Sequence, residues 1–219
     1  MTLEVFWGSG SPFAWRVLLT LEVKQLPYES RLLEFSKKQH KSPDFLRLNP
    51  RGKVPVLKDG DFVVYESLAI MKYLDDKYPA VRLFGGDPES SARIMMSVCE
   101  CASYIEQPTE NVVRPVFARA AAEQREAIMS AANTLRDEYA LLNAKLTGRQ
   151  WLVGDSVTAA DVVLYPQAAI LLRALGKDEG ASLGLKLAPF ADYFPAVAQW
   201  MRAVEALPGF ERTYPPHWR

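Results

Sequence analysis

The first third of the chain alternates between short apolar runs and segments whose apolar residues share one face of a helix. In residues 12–24 the apolar side chains recur at helical spacing, at Phe13, Val17, Leu18 and Leu21. Runs of β-type residues lie on both sides of this segment. The pattern predicts strands at 3–7 and 28–33, helices at 12–24 and 67–78, and a short helix or turn at 43–49. It also predicts a hairpin over 53–66, whose strands are joined by residues 58–61 with Asp59-Gly60 as the turn signal. The predicted order is βαβ followed by αββα.

The pattern changes after about residue 89, where the segments become long and rich in Ala, Met, Leu and Glu. It predicts helices at roughly 89–117, 122–146, 158–175 and 192–206 and no further strand. Pro108 is expected to bend the first of these, because proline removes a backbone donor. We therefore expect an α/β domain over 1–79, a linker at 80–88 and an all-α domain over 89–219.

Composition and charge exclude several classes of function. The 219 residues are 49% hydrophobic and 24% charged, with 26 basic and 26 acidic side chains. This balance gives no sign of a nucleic-acid or membrane surface. No apolar run approaches the roughly 18 residues that span a bilayer, and the N-terminal residues do not resemble a signal peptide.

Cysteine and histidine are too few for a metal cluster. Cys99 and Cys101 are two apart on a predicted helix and point to different faces, so they are not expected to pair or to share a metal. His40 and His217 are the two histidines. We expect a reduced, cytoplasmic chain without a metal or a cofactor.

Two serines lie in the turn GSGSPFAWR, residues 8–16. Ser11 precedes Pro12 and a helical run, which is the pattern of an N-cap. Capping alone does not explain why Ser9 and two glycines occupy the same turn, where small residues keep a hydroxyl accessible. Ser11 is favoured over Ser9 as a chemical group, because hydroxyl and helix dipole then act at one place.

The dipeptide Val54-Pro55 stands at the entry to a predicted strand. A cis bond there would turn the N–H and C=O of Val54 outward, where they could pair with an extended peptide. An ordinary proline on an edge strand is the alternative.

Charged and hydroxyl groups complete a possible peptide site. Glu66 and Ser67 begin a predicted helix and suit the ammonium and carboxylate of a free amino-acid head group, although Ser67 could be only a cap. His40 and Lys41 lie in a polar loop that could neutralise a second carboxylate or simply be solvated. Together these groups outline a slot for glutathione.

The same stretches resemble the cytosolic glutathione S-transferases. The Ser-Pro-Phe-x-x-Arg pattern of 11–16 is similar to the active-site turn of the serine-type classes, phi- and theta-like bacterial forms among them. The stretches HKSPDFLRLNP, GKVPVL and ESLAI resemble the family's glutathione-site motifs, and LVGDSVTAADVVLYP resembles its sixth-helix segment, with a cap formed by Thr158 and Asp161. The resemblance runs from residue 3 to about 208. The tyrosine of other classes is absent, since Phe6 and Trp7 end the first strand, and Ser11 stands where thiol-exchanging relatives carry cysteine.

This resemblance implies a thioredoxin-like domain followed by a helical domain, and a homodimer. It implies that Ser11 stabilises the thiolate of glutathione, a cosubstrate, for attack on small apolar electrophiles. The implied glutathione-binding residues are His40, Lys41, Lys53, Val54, Pro55, Glu66 and Ser67. The electrophile is expected against Phe13, Tyr104, Pro108 and Val112, with the tail TYPPHWR nearby.

Two alternatives stay open from the sequence. One is a non-catalytic binding or assembly module of the same fold. The other is a narrower glutathione-dependent peroxidase, isomerase or dehalogenase.

Overall fold

The computed structural model describes residues 2–219, and their contacts divide them into two compact units. One unit comprises the chain up to Phe84 together with Leu207–Arg219, and the other comprises Gly85–Ala206. Met1, where the predicted first domain begins, lies outside the described residues. The division falls within the predicted linker. The sequence assigned residues 207–219 to the helical domain, whereas their contacts join them to the N-terminal unit.

A four-stranded sheet organises the N-terminal unit. Its order is β2-β1-β3-β4, with β1 parallel to β2 and antiparallel to β3, and β3 antiparallel to β4. This is the thioredoxin-like arrangement that the resemblance implies. The elements are β1 (Leu3–Trp7), α1 (Pro12–Val23), β2 (Tyr28–Leu32), α2 (Pro43–Leu48), β3 (Val56–Asp59), β4 (Phe62–Tyr65) and α3 (Ser67–Lys77).

The β3–β4 hairpin turns through a two-residue loop. Asp59 pairs with Phe62, so Gly60 and Asp61 form the loop. Gly60 has a φ of +61°, which glycine adopts without steric cost. The predicted hairpin is therefore confirmed.

Helix α1 is the central element of this unit. All its residues from Ala14 to Glu22 are buried. Just beyond its end, the buried Lys24 ammonium lies 3.0 Å from Asp75 of α3. The Asp75 carboxylate also accepts the backbone N–H groups of Leu83 at 2.7 Å and Phe84 at 3.2 Å. This network ties α1 and α3 to the segment that ends at Phe84.

The second unit is helical. Its elements are α4 (Pro88–Glu100), α5 (Glu106–Phe117), α6 (Arg125–Leu146), α7 (Ala159–Leu175), α8 (Asp178–Ser182), α9 (Phe190–Tyr193) and α10 (Pro195–Glu205). No helix within residues 2–219 is long and apolar enough to cross a membrane.

The predicted helix 89–117 is interrupted before Pro108. A π-helical turn, Cys101–Ile105, separates α4 from α5. Pro108 is consequently the third residue of α5, within one turn of this irregularity. The sequence predicted a bend at Pro108, and the structure places the irregularity one turn earlier.

Buried hydrogen bonds cap helix α7. Asp161 Oδ2 accepts the backbone N–H of Thr158 at 2.9 Å and its hydroxyl at 3.0 Å. Asp161 Oδ1 accepts the N–H groups of Leu152 and Trp200, each at 2.9 Å. The cap predicted from Thr158 and Asp161 is confirmed, and its carboxylate also joins α7 to α10.

Candidate active site

The turn between β1 and α1 places Ser11 at the head of a buried helix. The N–H of Ser11 donates to Gly8 O at 3.1 Å, and Gly10 has a φ of +81°, as the third residue of a type II turn requires. Ser11 Oγ accepts the N–H of Ala14 at 3.3 Å, so Ser11 is the N-cap of α1. Because this hydroxyl uses a lone pair in the cap, its proton can still be donated to a ligand.

Ser9 faces in a direction that the sequence left undecided. Its Oγ lies 2.6 Å from His217 Nδ1, so it is directed to the C-terminal tail, residues Leu207–Arg219. This tail contains the short helix α11 (Phe210–Thr213). Residue type alone could not reveal the pair, because its two members are far apart in the chain.

Trp15 of α1 anchors the tail. Its indole N–H donates to Thr213 Oγ1 at 2.8 Å. The rings of Tyr214 and Trp218 stand edge-on to Trp15, with centroids 5.7 and 5.3 Å away. The aromatic composition of TYPPHWR was visible in the sequence, but the helix on which the tail packs was not.

The Val54–Pro55 peptide bond is cis. Val54 precedes β3 and takes no part in its pairing with β1. Strand β3 lies between β1 and β4, so the alternative of an edge-strand proline is wrong. Asn49, for which the sequence predicts no role, is buried and donates to Lys53 O at 2.8 Å, which fixes the loop before Val54.

Glu66 has a strained backbone at the start of α3. Its φ of +70° and ψ of 111° are rare for a residue with a side chain. The Glu66 carbonyl accepts the N–H of Ile70 at 2.9 Å, while its side chain is exposed and makes no cap. Strain of this kind persists where the surroundings impose it, and it clusters at binding sites.

Ser67 is held by Arg16, the last residue of the Ser-Pro-Phe-x-x-Arg pattern, for which the sequence predicts no role. Ser67 is only 5% exposed, and its Oγ accepts Arg16 Nε at 2.8 Å. Arg16 is itself 4% exposed. Ser67 is the first helical residue of α3, whose cap is Glu66, so the alternative that Ser67 is only a cap is wrong. Its hydroxyl proton is available to a carboxylate.

The basic residues Lys41 and Lys53, on either side of α2, make different contacts. Lys41 Nζ donates to Gly52 O at 2.9 Å and Arg51 O at 3.3 Å, so its ammonium supports that turn. Lys53 is exposed, and it forms no ion pair within the described residues 2–219.

His40 reaches the Gly8–Ser11 turn through an aromatic neighbour. Its ring stands edge-on to Phe35, with centroids 4.9 Å apart. The Phe35 ring covers Gly8 so closely that a Cβ there would lie 2.1 Å from it. Gly8 is therefore required for this contact.

The residues predicted to meet an electrophile fall in both units. Phe13 is exposed on α1, with the Arg16 guanidinium 4.8 Å from its ring centroid. In the helical unit Tyr104 is 54% exposed and Pro108 is half-buried. Val112 is completely buried in the core of that unit, so its assignment to the electrophile site is wrong.

Comparison with known families agrees with this geometry. A family model described as glutathione S-transferase, N-terminal domain, matches residues 10–77, and its C-terminal counterpart matches residues 95–208. The chain belongs to the glutathione S-transferase family. The predicted activity of a glutathione transferase is thereby confirmed, as is the predicted fold.

Individual relatives of this glutathione S-transferase family cover most of the chain. Glutathione S-transferase 1 of Dianthus caryophyllus is 32% identical over 80% of this chain and 80% of its own length. Glutathione S-transferase A of Pleuronectes platessa is 28% identical over 99% of this chain and 92% of its own. The crystal structure of a glutathione S-transferase from the Antarctic clam Laternula elliptica superposes with a TM-score of 0.85, at 32% identity, over 100% and 94% of the two chains.

Proposed function

We propose that this glutathione transferase is of the serine type and that Ser11 stabilises the thiolate of bound glutathione. The observation that carries the proposal is the position of Ser11 Oγ at the N-terminus of α1, where it accepts the N–H of Ala14 and keeps its own proton. A thiolate at this place would receive a hydrogen bond and the positive end of the helix dipole.

The energy required is available from these two interactions. A free thiol has a pKa of about 8.5, and lowering it by about two requires about 2.7 kcal/mol. One hydrogen bond to a charged group supplies about 1.5–3 kcal/mol, and the helix dipole adds about 0.3–1 kcal/mol. Glutathione brings the nucleophilic sulfur, so Ser11 donates and does not attack.

The peptide of glutathione would occupy the groups around β3 and α3. We assign the γ-glutamyl ammonium to Glu66, whose side chain is exposed, and its carboxylate to the hydroxyl of Ser67. The backbone of Val54, set by the cis bond to Pro55, would pair with the peptide. His40 and Lys53 would meet the second carboxylate, and Lys41 would support them through the Arg51–Gly52 turn.

The electrophile is proposed to be a small apolar molecule that contacts Phe13 in the N-terminal unit; the other predicted contacts, Tyr104 and Pro108, belong to the helical unit. Phe13 and Tyr104 are exposed apolar side chains that no core position requires. We also propose a homodimer and a cytoplasmic location. Cys99 and Cys101 carry reduced thiols and form no disulfide, which supports the location.

The test combines glutathione-affinity retention with an assay on a generic aryl halide. The wild-type protein is expected to be retained on the glutathione matrix and to conjugate glutathione to the aryl halide. Ser11→Ala should still be retained, but the pKa of the bound thiol, measured from thiolate absorbance, should rise by about one to two because a charge-assisted hydrogen bond is lost.

The chain offers a matched control in Ser42, which caps α2 before Pro43 with the same 3.3 Å bond, to Phe45 N. Each replacement by alanine should cost about 1 kcal/mol of stability. Only Ser11→Ala should change the pKa of the bound thiol. An unchanged thiol pKa in Ser11→Ala would refute the role of Ser11, and retention of the wild type without turnover would favour a binding module.

A further inference from the structure

The C-terminal tail makes a polar contact with the turn that carries Ser11. Ser9 Oγ and His217 Nδ1 are 2.6 Å apart, and the indole N–H of Trp218 donates to His217 Nε2 at 3.1 Å. Ser9 is the second residue of the Gly8–Ser11 turn, so the last residues of the chain contact the thiol site that we propose.

These two contacts define the tautomer of His217. An indole N–H can only donate, so Nε2 of His217 must be an acceptor without a proton. The proton of the neutral ring is then on Nδ1, which donates to Ser9 Oγ. Ser9 Oγ is thus held by the Nδ1–H donor of His217. The direction of this donor is fixed, because a flip of the ring would break the hydrogen bonds at both nitrogens.

Gly10 brings the same histidine close to the backbone of the turn. A Cβ built on Gly10 would lie 2.9 Å from His217 Cε1 and 3.4 Å from Trp218 Nε1. The absent side chain and the φ of +81° at Gly10 both allow the tail to lie directly against the turn. His217 therefore restrains both central residues of the turn, Ser9 by a hydrogen bond and Gly10 by contact.

The tail does not need this contact in order to dock. It is already anchored on α1 by the bond from Trp15 to Thr213, by the Trp15 ring contacts and by the ion pair of Arg212 with the buried Glu22. Because the tail is held in place by these other contacts, the hydrogen bond from His217 restrains the turn rather than the tail.

We propose that His217 is a positioning residue of the thiol site, which holds the Gly8–Ser11 turn through Ser9 and so fixes the direction of the Ser11 hydroxyl. The inference rests on the proposed role of Ser11. It makes the last turn of the chain part of the glutathione site without direct contact between His217 and the substrate.

A double-mutant cycle with bound glutathione tests the proposal. His217→Ala and Ser9→Ala should each raise the pKa of the bound thiol by about 0.5 to 1, the effect of one neutral hydrogen bond. In the double variant the thiol pKa should rise no further than in either single variant, because the two substitutions remove the same hydrogen bond. His217→Asn, which can present an amide donor near the position of Nδ1, should restore the wild-type value.

Arg219→Ala is the matched control, since Arg219 bonds to Glu211 O within the tail. It should leave the thiol pKa unchanged. An unchanged pKa in either His217→Ala or Ser9→Ala, or additive effects in the cycle, would overturn the proposal. If His217→Ala does not fold, Ser9→Ala removes the bond from the other side and decides alone.

A second measurement needs no glutathione. The chain has only two histidines, so the ¹⁵N shifts of His217 can be assigned by comparison with His217→Asn. At a pH of about 8, above the ordinary range of histidine, they should report the Nδ1–H tautomer, and Ser9→Ala should move the Nδ1 signal. The Nε2–H tautomer would contradict the proposed contact.

The two proposals fail differently. If Ser11→Ala leaves the thiol pKa unchanged, the proposed function is wrong, whatever the tautomer. If Ser11→Ala raises the pKa and His217→Ala does not, only the role of His217 is wrong.

Discussion

Ser11 and Ser67 show how one hydroxyl can serve both the fold and a ligand. Ser11 Oγ accepts Ala14 N, and Ser67 Oγ accepts Arg16 Nε. In each case the fold uses a lone pair and leaves the proton to be donated. A capping interpretation and a chemical interpretation of Ser11 are therefore compatible, and the sequence pattern of a cap is no argument against a role in the site.

The strained backbone of Glu66 gives a prediction at the same scale. Glu66→Gly and Glu66→Ala both remove the carboxylate and should weaken glutathione binding several-fold, since the ligand's ammonium loses its partner. Only Glu66→Gly also relieves the φ of +70°. The glycine variant should therefore be more stable than the alanine variant by about 1 kcal/mol. Calorimetry and urea unfolding measure the two effects.

The comparison between the two variants separates binding from strain. Equal affinities with different stabilities are expected. Wild-type affinity in both variants would contradict the role of Glu66 in the slot, and equal stabilities would contradict the strain.

Elements of the N-terminal unit are joined by side chains at their ends. The buried Asp59, at the end of β3, accepts the hydroxyl of Tyr73 at 2.8 Å and pairs with Lys77, one turn further along α3. The hydrogen bonds from Lys77 and from Tyr73 hold the pKa of Asp59 below its ordinary value. The hydrogen bond to Asp59 raises the pKa of Lys77 in turn.

This pair predicts a dependence of stability on pH. Because the folded state favours the charged form of Asp59, the contribution is complete above the unfolded pKa of about 3.9 and is lost as the pH falls through the lower folded value. Asp59→Asn should lower stability at neutral pH and flatten its decline in acid. Urea unfolding between pH values of about 6 and 3 measures this decline.

Asp61 provides the control for that experiment. It lies in the adjacent hairpin loop and is exposed. Asp61→Asn should retain the wild-type acid dependence. If the stability of Asp59→Asn declines with falling pH as steeply as that of the wild type, the contact of Asp59 with α3 does not contribute to the acid dependence.

At the scale of the whole molecule, the exposed face of α4 bears on assembly. Ile94 and Val98 are buried, whereas Met95 and Met96 are exposed, Met96 by 53%. Exposed methionines of this kind suit an interface between protein chains. They support the proposed homodimer, in which α3 and α4 would face the partner.

Light scattering at micromolar concentration should accordingly give twice the chain mass of 24.6 kDa. Met96→Lys should shift the protein towards the monomer, because a charge in the interface would lose its water. Tyr193→Lys, at an exposed position of α9 outside the predicted face, should leave the mass unchanged. A monomeric wild type would contradict the dimer.

Local patterns predicted most of the elements of the N-terminal unit and the cap of α1. The apolar spacing of 12–24 predicted α1, Asp59-Gly60 predicted the hairpin, and Ser11 was recognised as the cap of α1. These signals work because caps, turns and helical faces depend on residues within a few positions of one another. The π-turn before Pro108 was missed, since nothing in its composition distinguishes it from the helix around it.

The sequence by itself determined the two-part organisation, the order of strands and helices from β1 to α3, and the residue types that suit a thiolate and a peptide; it did not predict the short helices α8, α9 and α11. Only the tertiary structure decided that Arg16 holds Ser67, 51 residues away, and that His217 meets Ser9 across 208 residues. The tertiary structure also decided that Val112 is buried and that the Lys41 ammonium donates to the carbonyl of Gly52. Such pairings depend on how distant segments close upon one another, and no periodicity or cap within one segment records that closure.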